Sequence, residues 1–226
     1  LASVGNDLHH SVALWDWKSG TLLHSSHVDQ GKCLSCCFAN DDVFVVGGDS
    51  YVYFWTKSSE GYTRRRGNFS RHSSLQPITS LVAIFGTIDS LVSGTISGQL
   101  FLWTDRNCVR VVKAHDGAVT SVFSNEHGIV TGGVDKRIRM WTNELEPGAT
   151  FDITYFGFLP ELRSVCMSSD GNTIVFGTLG ASIFEISTVD GSDLRGGSIV
   201  TCHYRDKLTS LATNPSKYEM ATVGED

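Results

Sequence analysis

One phrase recurs along this chain at a fixed internal spacing, and it narrows the folds open to it. Leu91-Val-Ser-Gly-Thr95 runs on to Leu100-Phe-Leu-Trp103, and Ile129-Val-Thr-Gly-Gly133 runs on to Ile138-Arg-Met-Trp141. Ile174-Val-Phe-Gly-Thr178 runs on to Ile183-Phe-Glu-Ile186. In each copy the first and last apolar residues are 12 apart. Looser copies end at Trp15 and Trp55, so the closing positions 15, 55, 103, 141 and 186 are separated by 40, 48, 38 and 45 residues. A period in that range, built from short apolar runs and closed by an indole, marks a β-propeller with four strands per blade.

A second phrase belongs to the same repeat: Leu34-Ser-Cys-Cys37, Ile78-Thr-Ser-Leu81, Val119-Thr-Ser-Val122, Leu162-Arg-Ser-Val165 and Leu208-Thr-Ser-Leu211. It is assigned to the innermost strand of each blade, where small hydroxyl residues suit a crowded channel. The Val/Ile/Leu run that follows reads as a second strand buried on both faces by neighbouring blades, because its hydrophobicity is continuous. The third strand is expected to alternate, with Val12/Leu14, Val52/Phe54, Leu100/Leu102 and Ile138/Met140 sharing one side. The outermost strand falls around 20–25, 62–70, 107–113 and 146–151.

Turn residues punctuate these runs. Gly47-Gly48-Asp49, Gly94-Thr95 and Gly132-Gly133 separate second from third strands; Asn40-Asp-Asp42, Asn125-Glu-His-Gly128 and Ser169-Asp-Gly-Asn172 separate first from second. The four prolines avoid every central strand, and no stretch reads as a helix. The expected fold class is all-β, a WD40-type β-propeller of radial antiparallel blades, with Trp15-Asp16 as one literal WD pair. Units run approximately over 1–25, 32–70, 77–113, 117–151, 162–202 and 207–226. Residues 1–7 and 220–226 both read as a second strand with its turn. About four full and two partial blades are therefore expected, an incomplete ring whose remaining blades would complete a larger propeller, since a propeller removes its exposed edges only by closing.

The fourth unit is the most complete. Its slots for a hydrogen-bonded structural tetrad hold His115, Thr131, Asp135 and Trp141, beside the blade tryptophans Trp15, Trp55 and Trp103. Such a chain satisfies buried polar groups and ties turn to strand. A His, an Asp and a hydroxyl also compose a catalytic triad on paper, but the structural reading is the one expected. His27, His72 and His203 lie near the matching slot in other units but out of register. In the fifth unit Ile186 replaces the Trp and Glu185 falls where an apolar residue belongs, so either the strand shifts by one residue or Glu185 finds a partner.

Composition excludes several functions. The chain has 226 residues, 41 % of them hydrophobic, which is ample for a core, and its net charge of −6 lacks the basic footprint of a nucleic-acid binder. No apolar run reaches the roughly 18 residues a membrane span needs. No secretory signal opens the chain, and the cysteines, Cys33, Cys36, Cys37, Cys108, Cys166 and Cys202, form no disulfide framework, so a reducing, cytoplasmic setting is expected. Cys33-x-x-Cys36-Cys37 lacks the second ligand pair a structural zinc needs, and strand periodicity puts Cys33 and Cys36 on opposite faces. His9-His10 reads as an exposed loop tip. Asn68-Phe-Ser70 matches a glycosylation pattern that a cytosolic protein would not use. No nucleophile elbow, phosphate-binding loop, dinucleotide fingerprint or zinc-protease helix is present. The inner strands carry Ser, Thr and Cys, with Lys32, Arg163 and Lys207 nearby, which is unsuited to the paired carboxylates of a propeller hydrolase. No cofactor is expected.

Several segments are similar to the echinoderm microtubule-associated protein-like family. They are Trp15-Asp-Trp17-Lys-Ser-Gly20, Tyr53-Phe-Trp-Thr56, Arg65-Arg-Gly-Asn-Phe69, Gly98-Gln-Leu-Phe-Leu-Trp103, Ala114-His-Asp-Gly117, Leu162-Arg-Ser-Val165, and Cys202-His203 with Asn214-Pro-Ser-Lys217. They occur in order across the whole chain. The resemblance implies most of the first of two tandem propellers in a cytoskeletal protein that binds tubulin and decorates microtubules. It also implies a hydrophobic motif and an oligomerising segment before residue 1. On that basis the chain is expected to be a non-catalytic interaction module whose partners are tubulin or microtubules, with no nucleic acid or membrane. The alternative is a generic WD40 scaffold that captures a peptide of another complex. Arg64-Arg65-Arg66, with Arg71 and His72 nearby, is the basic cluster open to an acidic tubulin surface; the competing reading is a solvated outer strand whose charges discourage edge pairing.

Overall fold

The computed structural model describes the chain except residues 6–9, 29–30, 70–73, 158–159, 201–207, 214–219 and 225–226, with the backbone alone described for 208–213 and 220–224. Among the described residues, twenty strands form six antiparallel sheets. The first holds β1 (Ala2–Val4), β2 (Ser11–Asp16) and β3 (Thr21–His27). The second holds β4 (Cys33–Phe38), β5 (Val43–Gly48), β6 (Val52–Ser58) and β7 (Gly61–Arg66). The third holds β8 (Ile78–Ala83), β9 (Ser90–Thr95), β10 (Gln99–Thr104) and β11 (Asn107–Lys113). The fourth holds β12 (Val119–Asn125), β13 (Gly128–Gly133), β14 (Arg137–Trp141) and β15 (Pro147–Asp152). The fifth holds β16 (Leu162–Met167), β17 (Thr173–Thr178) and β18 (Ile183–Ser187); the sixth pairs β19 (Leu208–Thr213) with β20 (Met220–Gly224). The fold is all-β, the arrangement of an incomplete β-propeller, and the only helical segment among the described residues is a 3-10 turn at Ile153–Phe156.

The innermost strands β4, β8, β12 and β16 pack in sequence around the axis. Each carries the same β-bulge, at Cys33/Ser35, Ile78/Ser80, Val119/Ser121 and Leu162/Ser164, and β19 repeats it at Leu208/Ser210. The recurring phrase thus marks a bulge, which places two residues opposite one and bends the strand; in β4 the equivalent residues are Cys33-Leu34-Ser35-Cys36, one position before the expected Leu34–Cys37. Hydroxyls near it stitch one blade to the next. Ser35 Oγ donates to the Ile78 carbonyl (3.3 Å), Thr79 Oγ1 donates to the Val119 carbonyl, and Ser121 Oγ accepts the Val165 N–H (3.2 Å).

The second strands explain their unbroken hydrophobicity. Alternate side chains point to opposite neighbours, and both neighbours are apolar. Phe44 and Val46 pack with the first sheet while Val45 packs with the third. Leu91 faces the second sheet and Val92 the fourth; Ile129 faces the third and Val130 the fifth. Four apolar clusters result, one per interface between consecutive sheets from the first to the fifth. The glycine of the repeated phrase is where the next blade comes closest. A Cβ on Gly94 would stand 2.7 Å from Val119 Cγ1, and one on Gly132 would stand 2.2 Å from Leu162 Cδ2. A larger residue there would force the facing side chains of the next blade to shift.

Three expectations need correction. The third strands do not uniformly alternate: Val52, Tyr53, Phe54 and Trp55 are all buried, as are Leu100, Phe101 and Trp103, because rings fill both interfaces of those blades. Conversely β17 alternates, with Ile174, Phe176 and Thr178 buried and their neighbours half-buried. The bulge in β4 turns Cys33 to the same side as Cys36, where both pack against the cluster between first and second sheets, while Cys37 faces the other way. The fifth sheet shows no slip. Ile174 pairs with Ile186 as Leu91 pairs with Trp103 and Ile129 with Trp141. Glu185 instead accepts a 2.6 Å bond from Arg195 Nε.

Candidate interaction site and the buried polar chain

The polar chain of the fourth sheet starts in a tight turn. Gly133 to Lys136 closes with the Lys136 N–H on the Gly133 carbonyl (3.2 Å), and Lys136 takes a left-handed φ of 60°. That turn presents Asp135, whose Oδ1 lies 2.8 Å from His115 Nδ1 and accepts the Arg137 N–H at 3.2 Å. Its Oδ2 accepts the Asp116 N–H (3.2 Å) and lies 3.7 Å from Arg139 Nη2. His115 Nε2 lies 2.8 Å from Thr131 Oγ1, which accepts the Trp141 indole N–H at 3.0 Å. Burial pushes the His115 pKa below its ordinary value, ahead of the opposing bond to Asp135. A neutral ring satisfies every atom in one way: Nδ1–H donates to Asp135, and Nε2 accepts the Thr131 hydroxyl proton.

The tetrad's hydroxyl, His115 and Trp141 are buried, with Thr131 wholly inaccessible, and Asp135 shows 8 % of its side chain. A nucleophile must reach its substrate, and this hydroxyl reaches only an indole and an imidazole. The main chain of His115 is fixed as tightly. Both Ala114 and His115 donate their N–H groups to the Gly98 carbonyl (2.8 and 2.9 Å), and a Cβ on Gly98 would stand 2.0 Å from the His115 carbonyl oxygen.

Other blades use parts of the same device. Trp15 Nε1 donates to Ser3 Oγ and Trp103 Nε1 to Ser93 Oγ, both at 2.9 Å. The signal for these links is a Ser or Thr two residues after the first apolar residue of the repeated phrase, as in Leu1–Ser3, Leu91–Ser93 and Ile129–Thr131. It is absent where Val46 and Phe176 stand, and there Trp55 and Phe184 stack on Phe44 and Phe176 with centroids 4.9 and 5.2 Å apart. The third sheet has a separate buried polar link: Gln76 donates Nε2 to Gln99 Oε1 (2.7 Å) and accepts the Ser97 N–H (3.3 Å). His27 lies on the exposed outer strand β3, where its carbonyl accepts a bond from Arg64; His72 and His203 lie outside the described residues.

The three arginines lie on β7, opposite Trp55, Phe54 and Tyr53, and the strand's alternation splits them. Arg64 donates to the His27 carbonyl (3.0 Å) and stacks over the Tyr53 ring at 4.8 Å; Arg66 donates to the Ser50 carbonyl (3.1 Å). Arg65 points the other way, into a recess of about 60 Å³ that it shares with Asn40, Asp89, Asp105 and Arg106. Arg71 lies outside the described residues.

The three thiols of β4 show no reactive setting, and Cys202 lies outside the described residues. Burial raises the Cys36 thiol and pushes that of Cys37 up to about 12, and Cys33 sits 3.1 Å from the Tyr51 hydroxyl. Among the described residues no group of three or more His, Cys, Asp or Glu is placed to hold a metal ion. His10 is half-buried and not a loop tip, with its carbonyl accepting the Val28 N–H; His9 lies outside the described residues. Asn68 is engaged with Asn107, Nδ2 to Oδ1 at 2.9 Å. Arg163 is exposed at the bulge of β16, and Lys207 lies outside the described residues. No helix among the described residues is long and apolar enough to cross a membrane.

A family model described as the first beta-propeller of echinoderm microtubule-associated protein matches residues 1–186. The chain is 27 % identical over 234 residues to echinoderm microtubule-associated protein-like 2 of Homo sapiens. It is 26 % identical over 237 residues to the 77 kDa echinoderm microtubule-associated protein of Lytechinus variegatus, and 25 % identical over 234 residues to echinoderm microtubule-associated protein-like 1 of Mus musculus. Each alignment takes in all of this chain but only 34 %, 34 % and 27 % of the relative, so the chain spans about a third of the curated proteins it matches.

Proposed function

The chain belongs to the echinoderm microtubule-associated protein family, and from that premise we propose that it is a non-catalytic interaction module of a microtubule-associated protein, working in the cytoplasm on the cytoskeleton and binding tubulin through surface loops and outer strands. The observation that carries this reading is the match of residues 1–186 to the family's first propeller. A second feature supports it: the constellation that resembles a catalytic triad, Thr131–His115–Asp135, is closed to solvent at its hydroxyl. We read that tetrad as a pin between turn and strands, which keeps the blade surfaces rigid enough to present a docking face.

Within this reading Arg65 is the arginine offered to an acidic partner. Arg64 and Arg66 are engaged with main-chain carbonyls, whereas Arg65 makes no hydrogen bond or ion pair among the described residues. Exposed charges of this kind set salt sensitivity and encounter rate more than total affinity. Co-sedimentation with microtubules and gel filtration with soluble tubulin, each at 50 and 200 mM salt, test the proposal. Binding that weakens with salt, and weakens further in Arg65→Glu with an unchanged melting curve, is expected. Absence of any tubulin complex at low salt would refute the function; unchanged salt dependence in Arg65→Glu would refute the residue.

A further inference from the structure

Between the fourth and fifth sheets lies a second recess, of about 340 Å³, that none of the preceding features uses. It brings together the end of β15, the 3-10 turn after it, and the turn that follows β18. Phe151 forms its floor, and Gly191 makes that possible: its φ is +73°, and an added Cβ would stand 2.6 Å from Phe151 Cδ1. Tyr155 forms one wall. It is 86 % exposed, and it meets the Phe156 ring at a right angle, 6.1 Å between centroids. An aromatic ring held over a recess with so little cover is a surface waiting for a contact.

Two carboxylates flank the ring. Asp152 Oδ1 accepts the Thr154 N–H (2.9 Å) and hydroxyl (2.6 Å). Asp190 Oδ1 accepts the Ser192 N–H (3.0 Å) and hydroxyl (2.7 Å). These bonds hold both carboxyls below the usual carboxylate range, so both are ionised at neutral pH. They also fix the orientation of each group, and a carboxylate so held has lone pairs left to accept further donors. Asp152 Oδ2 has Arg137 Nε at 4.0 Å, and the Ser187 side chain also bears on the Asp190 carboxyl. The nearby cation of the fifth sheet, Arg195, is committed to Glu185.

We propose that this recess receives an arginine side chain of a partner polypeptide. The planar guanidinium lies against the Tyr155 ring and donates to the carboxylates of Asp152 and Asp190, while its stem covers Phe151. A planar fork suits an aromatic face between separated acceptors better than a compact ammonium does. This inference does not depend on the partner being tubulin, and it concerns the opposite charge to the Arg65 surface.

The test is a 15N NMR titration of the chain with Nα-acetyl-arginine amide, against Nα-acetyl-citrulline amide as the neutral isostere. Saturating shifts at Asp152, Tyr155, Gly191 and Ser192 are expected with the arginine probe, with binding at least fivefold weaker for citrulline. Asp190→Asn keeps an oxygen for the Ser192 bonds, and Tyr155→Ser removes an exposed ring, so both variants should stay folded; each should weaken the arginine probe at least fivefold. Equal binding of the two probes would overturn the proposal. So would shifts scattered over the acidic surface and indifferent to both substitutions.

Discussion

Replacing Thr131 by valine keeps the shape of a side chain and removes one oxygen. That oxygen stands 2.8 Å from His115 Nε2 and 3.0 Å from Trp141 Nε1. Both partner residues are buried, so water cannot take its place. Valine strands an indole N–H and an imidazole nitrogen together. Each buried polar group left without a partner costs about 1–3 kcal/mol, and small adjustments shared between neighbours bring the pair to about 2–4 kcal/mol. No cavity term adds to this, because the volume is conserved. A chain of this size loses about 2–4 °C of melting temperature per kcal/mol, so the expected drop is roughly 5–15 °C. Ser93→Ala is the internal comparison. Ser93 Oγ accepts only the Trp103 indole among the described residues, so about 1–3 kcal/mol is expected, and less than for Thr131→Val. Thermal melting followed by tryptophan fluorescence, with urea titration for the free energies, reads both. A Thr131→Val protein that melts within about 1 °C of the parent, or that costs no more than Ser93→Ala, would show that the oxygen does not join two buried groups.

Two more predictions follow from the same geometry. Burial depresses the His115 pKa below its ordinary value of 6.5, so between the folded and unfolded pKa values the unfolded chain binds more protons. Stability in that window rises with pH, is fully present above about 6.5, and falls as pH drops towards the folded value; urea titrations at pH 7.5 and 5.5 should show the loss, and His115→Gln should shrink the difference between them. At Glu185, opposite Val175 as Met140 is opposite Val130, methionine should be neutral or stabilising, whereas Arg195→Ala should cost about 1 kcal/mol by leaving a carboxylate that is only 15 % exposed without its cation. A double-mutant cycle checks the pairing: Arg195→Ala should cost nothing in the Glu185→Met background.

The blade order was legible because it rests on burial by both neighbours. Leu91 and Val92, or Ile129 and Val130, face different interfaces and are apolar for the same reason. The tetrad residues stand out as residue types at fixed offsets, so their positions were readable too. The Cys33/Cys36 relation was misread because strand alternation assumes an unbroken ladder, and the bulge at Cys33/Ser35 inserts one residue between them. The repetition of apolar–polar–Ser at the head of each inner strand was the signal for it. The arginine cluster misled in another way. Adjacent charges look like one patch in a sequence, yet β7 sends Arg65 to one blade interface and its neighbours to the other. The recess between fourth and fifth sheets joins residues about 40 positions apart, and no local pattern announces such a meeting.

The blades that lack the hydroxyl show what the polar chain is for. In the third and fourth sheets Ser93 and Thr131 sit diagonally from the closing indole, two residues beyond its cross-strand partner, and hydrogen-bond to it. In the second sheet that slot is Val46, and the indole of Trp55 instead lies flat on Phe44, the residue directly opposite it. In the fifth sheet the indole itself is lost to Ile186, and Phe176 stacks on Phe184, again directly opposite. Directly opposed aromatic pairs hold two strands in register, which is the task the hydrogen bonds perform elsewhere. The two devices differ in what they demand. A stack tolerates repacking by other apolar residues, whereas a buried polar chain fails at any missing member, since each atom left over is unsatisfied. Substitutions at Phe44 and Phe176 should therefore be graded by volume, and those at His115, Thr131 and Trp141 by the number of buried polar atoms they leave without a partner.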